Sequence, residues 1–115
     1  MDKITGLNEY QQRALETWIG HNNENNYNIV YPTLGLCGES GEVSEKVKKA
    51  LRDHDGVFDE DVKLAIASEI GDVLWYASTL SYELGFTLQE IAEINYNKLK
   101  SRKRRNVIHG DGDNR

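Results

Sequence analysis

Glu69-Ile70-Gly71-Asp72-Val73-Leu74-Trp75-Tyr76-Ala77-Ser78-Thr79-Leu80 lies within a run from Asp59 to Leu84 that has no proline and a single glycine. At about 100° per residue, Ile66, Ile70, Val73, Ala77, Leu80 and Leu84 fall on one stripe, a helical period. Asp59 suits the N-cap of this helix and Gly85 its C-terminal stop. Glu69 and Asp72 border the apolar stripe instead of occupying the far, solvated side, and Tyr76 lies between them in phase. Residues three apart share a helical face, so this helix presents a pair of carboxylates.

Upstream, Gly35-Leu36-Cys37-Gly38-Glu39-Ser40-Gly41-Glu42 repeats the arrangement. Pro32 suits the first turn of a helix running to about Asp53, with Leu36, Val43, Val47 and Ala50 as its stripe. Glu39 and Glu42 border that stripe. Gly35, Gly38 and Gly41 weaken the helix by about 1 kcal/mol each. They fit either close packing against another helix or room for a ligand. Antiparallel pairing of the two helices turns both carboxylate pairs toward one pocket. Four carboxylates in one place repel each other and lose hydration unless a cation neutralises them. Oxygen-only ligands point to Mg2+, with Mn2+ as a substitute. No histidine stands at the Glu-x-x-His spacing of di-iron bundles. His21, His54 and His109 fall in links or tail and read as surface residues. Glu45 drifts off the acidic face and reads as a solvated charge paired with a lysine.

Two further helices complete the chain. The first spans Leu7 to Ile19, stops near Gly20, and is followed by an Asn-rich link from His21 to Asn28. A turn from Asp53 to Phe58 joins the two acidic helices. Thr87-Leu88-Gln89-Glu90 matches a capping box and opens the last helix, which runs to about Arg105. There is no strand alternation. The expected fold is all-α, an antiparallel four-helix bundle over residues 1–105. Residues 106–115 form an irregular tail, either a disordered polar end or a lid over the site.

Composition narrows the function. At 115 residues and 38% hydrophobic content the chain is one domain with a thin core, which oligomerisation would enlarge. A net charge of -5 argues against generic nucleic-acid binding. No segment is apolar and long enough to span a membrane. The lone cysteine, Cys37, reads as a packing residue and forms no internal disulfide, and a cytoplasmic protein is the simplest expectation. Trp18, Trp75 and Tyr10 read as core. On the last helix Asn95, Lys98, Arg102 and Arg105 share a face with Ile91. Alone this is a solvated basic helix end. Beside four carboxylates and a metal, a phosphate chain becomes the better reading.

The motifs Gly38-Glu39-Ser40-Gly41-Glu42, Glu69-Ile70-Gly71-Asp72 and Asn95-Tyr96-Asn97-Lys98-Leu99 resemble those of short, single-domain MazG-like nucleotide pyrophosphohydrolases. The tail His109-Gly110-Asp111-Gly112-Asp113-Asn114-Arg115 resembles the ending of some of them. The resemblance implies a helical bundle that assembles as a homodimer or homotetramer. It implies hydrolysis of nucleoside triphosphates between the α and β phosphates, giving a monophosphate and pyrophosphate. Glu39, Glu42, Glu69 and Asp72 would hold Mg2+, and Glu39 or Glu42 is the candidate general base. Asn95, Lys98 and Arg102 would contact the nucleotide, with Tyr76 and Arg115 as further candidates. Two alternatives stand beside this. One is a related enzyme specific for dUTP, dCTP or phosphoribosyl-ATP. The other is a non-catalytic helical module that binds a partner.

Overall fold

The computed structural model describes residues 1–115. The chain is all-helical: α1 (Leu7–Leu15), a 3-10 turn (Glu24–Asn26), α2 (Tyr27–Asp53), α3 (Glu60–Glu83) and α4 (Leu88–Arg104), with no strand. The caps expected of α3 and α4 form. Asp59 accepts from the Val62 amide at the start of α3. Thr87 and Glu90 close a reciprocal capping box at the start of α4.

The main contact in the molecule is the hairpin of α2 and α3. Its closed end turns through Asp55 and Gly56, both at positive φ. The Ala50 carbonyl there accepts from the amides of His54 and Gly56. Ala50, 1% exposed, seals that end.

α1 lies against the other end of α3. Gln11 is buried and clamps three elements. Its amide donates to the Ser78 carbonyl at 3.3 Å and the Phe86 carbonyl at 3.1 Å, and its oxygen accepts from the Leu88 amide at 3.1 Å. Asn8 accepts from the Gln89 amide, so α1 takes up two of the free donors at the start of α4. α1 ends at Leu15, short of the expected Ile19. The Thr17 hydroxyl and the Trp75 indole both bond the Ala14 carbonyl, and the chain leaves through i to i+3 turns. α2, by contrast, begins at Tyr27, a turn earlier than expected, and Pro32 lies inside it.

Little of this chain is enclosed. Nine of 115 residues are buried, and the apolar core residues Ala14, Ala50 and Leu88 are few. The accessible surface is 8555 Å2, against about 6,400 Å2 expected of a compact monomer of 13.1 kDa. The radius of gyration is 17.0 Å, against about 13 Å for a compact domain of this length. The cause lies in the packing: α4 rests on α1 and α3 but makes no contact with α2. One flank of the hairpin is therefore uncovered. Ile70 and Leu84, which the periodicity places in the core, are 53% and 50% exposed, and Cys37 is exposed rather than packed.

Candidate metal and nucleotide site

The hairpin register brings Glu39 of α2 opposite Glu69 and Asp72 of α3. One carboxylate oxygen from each lies within 4.8 Å of the other two. Glu39 and Glu69 are half-buried and Asp72 is exposed. Burial, followed by the negative charges of Asp72, Glu69 and Glu42, holds the Glu39 carboxyl above its ordinary pKa, and a hydrogen bond with Glu69 adds to this. Such a cluster binds either a proton or a metal ion. Three oxygen donors from two rigid helices fit a hard divalent cation that keeps part of its water shell. Glu42 stands outside the trio and is exposed, yet it is close enough to act on Glu39. Glu45 pairs with Lys48 at 2.9 Å, as its phase implies.

Tyr76 follows Asp72 by one turn and lies beside the acids. Burial, Tyr31, and the charges of Glu39 and Asp72 raise its pKa. Its ring packs on Gly35: a Cβ there would collide with the ring. Gly38 and Gly41 meet nothing within 4 Å. The two readings of the glycines thus divide, with close packing at Gly35 and open space at the other two.

Beyond Tyr76 the groove opens into a cavity of about 300 Å3 whose walls include Trp18, His21, Tyr27, Tyr31, Trp75 and Tyr76. Trp18 and Trp75, read from sequence as core, are half-buried walls of this cavity. The signal for it was the density of aromatic residues flanking the Asn-rich link. Only the turn of that link, with Asn23, Asn25 and Asn26 all at positive φ, folds the rings together.

The cationic residues are elsewhere. Lys98 lies 3.3 Å from Asp113. Arg102, 4% exposed, donates to the Asp113 carbonyl at 2.7 Å and to its carboxylate at 3.3 Å. Arg115 donates to the carbonyls of Val107, Ile108 and Gly112. The tail is thus folded back on α4, and its Asp113 occupies the two cations. Asn95 is exposed on the same helix. Within one chain, none of Asn95, Lys98, Arg102 and Arg115 is hydrogen-bonded or ion-paired to Glu39, Glu69 or Asp72.

An all-helical chain whose central hairpin converges acidic residues from two motifs belongs to a definable class. The MazG nucleotide pyrophosphohydrolase domain matches residues 32–107, which include both acidic motifs and all of α3 and α4. The chain belongs to that family. It is also similar to the gene 37 protein of Mycobacterium phage L5, with 49% identity over 87 residues, covering 76% of each chain. No solved structure matches it.

Proposed function

We propose that this protein is a Mg2+-dependent nucleoside triphosphate pyrophosphohydrolase that cleaves between the α and β phosphates. The observation that carries this reading is the convergence of Glu39, Glu69 and Asp72 across the α2–α3 hairpin, within the region matched by the family. Glu39, Glu69 and Asp72 would hold the ion, with Glu42 joining them directly or through water. When bound, the ion screens phosphate charge and acidifies water for attack. The chain's own contribution is to fix the anionic cluster on two helices. Glu39 is a candidate to accept the proton of an attacking water. Glu42 is the alternative base.

The exposed surface supports a homodimer or homotetramer as the working form. The excess over a compact monomer is about 2,200 Å2 per chain, the range of a permanent subunit interface. Assembly would also allow the cations of α4 and the tail to approach a triphosphate from a second subunit.

The test is release of pyrophosphate from a panel of ribo- and deoxyribonucleoside triphosphates with Mg2+. Glu69→Gln is expected to lower turnover by at least about 100-fold, the scale for a group that stabilises transition-state charge. Release of single phosphate instead of pyrophosphate would overturn the position of cleavage.

A further inference from the structure

The tail beyond α4 is a built loop, and it lies on the cations that a phosphate chain would need. α4 ends in a reversal: Asn106 takes a left-handed φ of 60°, and the Val107 amide donates to the Arg102 carbonyl at 2.9 Å. The chain then runs back along the helix as far as Lys98. Arg115 staples the loop, donating to the carbonyls of Val107 at 2.9 Å and Ile108 at 2.7 Å, and to that of Gly112. Two glycines permit the staple. A Cβ at Gly110 would collide with the Arg115 side chain, and Gly112 sits at a φ of 79°.

The loop delivers Asp113 to Lys98 and Arg102. Hydrogen bonds from Lys98 and then Arg102 hold its carboxyl below the ordinary aspartate pKa, so it is an anion at neutral pH. Arg102 is buried beneath the loop but poorly matched to it. One terminal nitrogen, Nη2, makes all of its bonds to the loop: the Gly112 carbonyl at 3.4 Å, the Asp113 carbonyl at 2.7 Å and its carboxylate at 3.3 Å. The Arg102 Nε is buried with no partner. A guanidinium binds an oxyanion best through two parallel N–H bonds, and the Asp113 carboxylate receives only one. Two oxygens of a phosphate would take Nε and Nη2 together. The grip is weak from the other side as well. The Asp113 side chain is 83% exposed, and ion pairs open to water contribute little.

We propose that the tail is an autoinhibitory latch: Asp113 occupies the place of a substrate phosphate on Lys98 and Arg102, and residues 106–115 lift from α4 when a triphosphate takes those cations. This reverses the order expected of a lid, which closes on a bound ligand. The exchange is favourable because a triphosphate brings several charges and a bidentate partner for Arg102. The tail brings one carboxylate and leaves the Arg102 Nε unpaired. A closed latch lowers the apparent affinity for substrate in proportion to the fraction of chains that are open. The inference rests on the nucleotide reading of the acidic site.

Hydrogen exchange on the full chain in Mg2+ reads the tail directly. Residues 106–115 are expected to exchange faster when inorganic tripolyphosphate, or the α,β-methylene analogue of dATP, saturates the protein. Slower exchange there would overturn the latch in favour of a closing lid. Two variants open the tail by different means. Asp113→Asn removes its charge, and Gly112→Ala strains its turn at positive φ. Both leave Lys98, Arg102 and Arg115 in place, and both positions are exposed, so the core is spared. Each is expected to tighten tripolyphosphate binding, measured by calorimetry, by about 2- to 10-fold. Asp113→Asn is expected to lower KM for a triphosphate by a similar factor. Unchanged, weaker or absent tripolyphosphate binding in both variants would overturn the latch. If the parent releases pyrophosphate while its tail exchanges more slowly on binding, the latch fails and the proposed reaction stands. Faster exchange and tighter binding without pyrophosphate release from any triphosphate would leave the latch and remove the reaction.

Discussion

Glu39 carries opposite loads in the presence and absence of a cation. The folded chain holds its proton more tightly than the unfolded chain does. Its contribution to stability therefore falls as pH rises from the ordinary glutamate range through its raised value. Without metal at neutral pH, Glu39→Gln removes that repulsion and is expected to melt higher than the parent. Below the glutamate range the difference disappears. With Mg2+ the order reverses, because the parent gains binding energy, about 2.7 kcal/mol at a hundredfold excess over Kd, and the variant gains less. Melting curves in EDTA and in Mg2+ at the two pH values check this. A parent that is equally stable in both media would remove the metal from the site. The border positions of Glu39, Glu69 and Asp72 were legible from helical phase, because phase depends only on residue spacing. That Glu42 stands outside the trio was not, because three residues on a helix differ in phase by about 60° and the partner's position selects between them.

Among the elements, α1 was legible as a helix but its purpose was not. Gln11 reads as an ordinary polar residue of an amphipathic segment. In the fold it is 2% exposed and bonds to Ser78, Phe86 and Leu88, tying α1 to the α3–α4 turn. Gln11→Ala strands these buried backbone groups and is expected to cost about 1–3 kcal/mol per group left unpaired. Chemical denaturation measures it, and a loss under about 0.5 kcal/mol, the level of an ordinary surface change, would show that water replaces the clamp. The Asn-rich link reads as loop from composition; its three left-handed asparagines agree, but its last two residues, Tyr27 and Asn28, belong to α2. Its role as a wall of the cavity depends on Trp75 and Tyr76, far along the chain, and local composition carries no record of them.

At the scale of the whole molecule, the exposed apolar surface is the feature with the largest consequence. Leu34 on α2 is 67% exposed, and Leu74 on α3 is 40% exposed. Burying the excess surface in a second copy would remove these side chains from water at about 25 cal/mol per Å2 of apolar area. Sedimentation velocity is expected to show a dimer or tetramer, and Leu34→Lys with Leu74→Lys to shift it toward monomer. A monomeric parent at micromolar concentration would refute the assembly.

Four helices, the caps of α3 and α4 and the two acidic motifs follow from period and spacing, since these depend on neighbours within a few residues. The pairing of α2 with α3, the Tyr76 ring on Gly35 and the aromatic cavity do not. Each joins residues separated by dozens of positions, and many registers satisfy the same periodic pattern. Side-chain packing across the hairpin selects one of those registers, and in doing so places three carboxylates and a ring-lined cavity side by side.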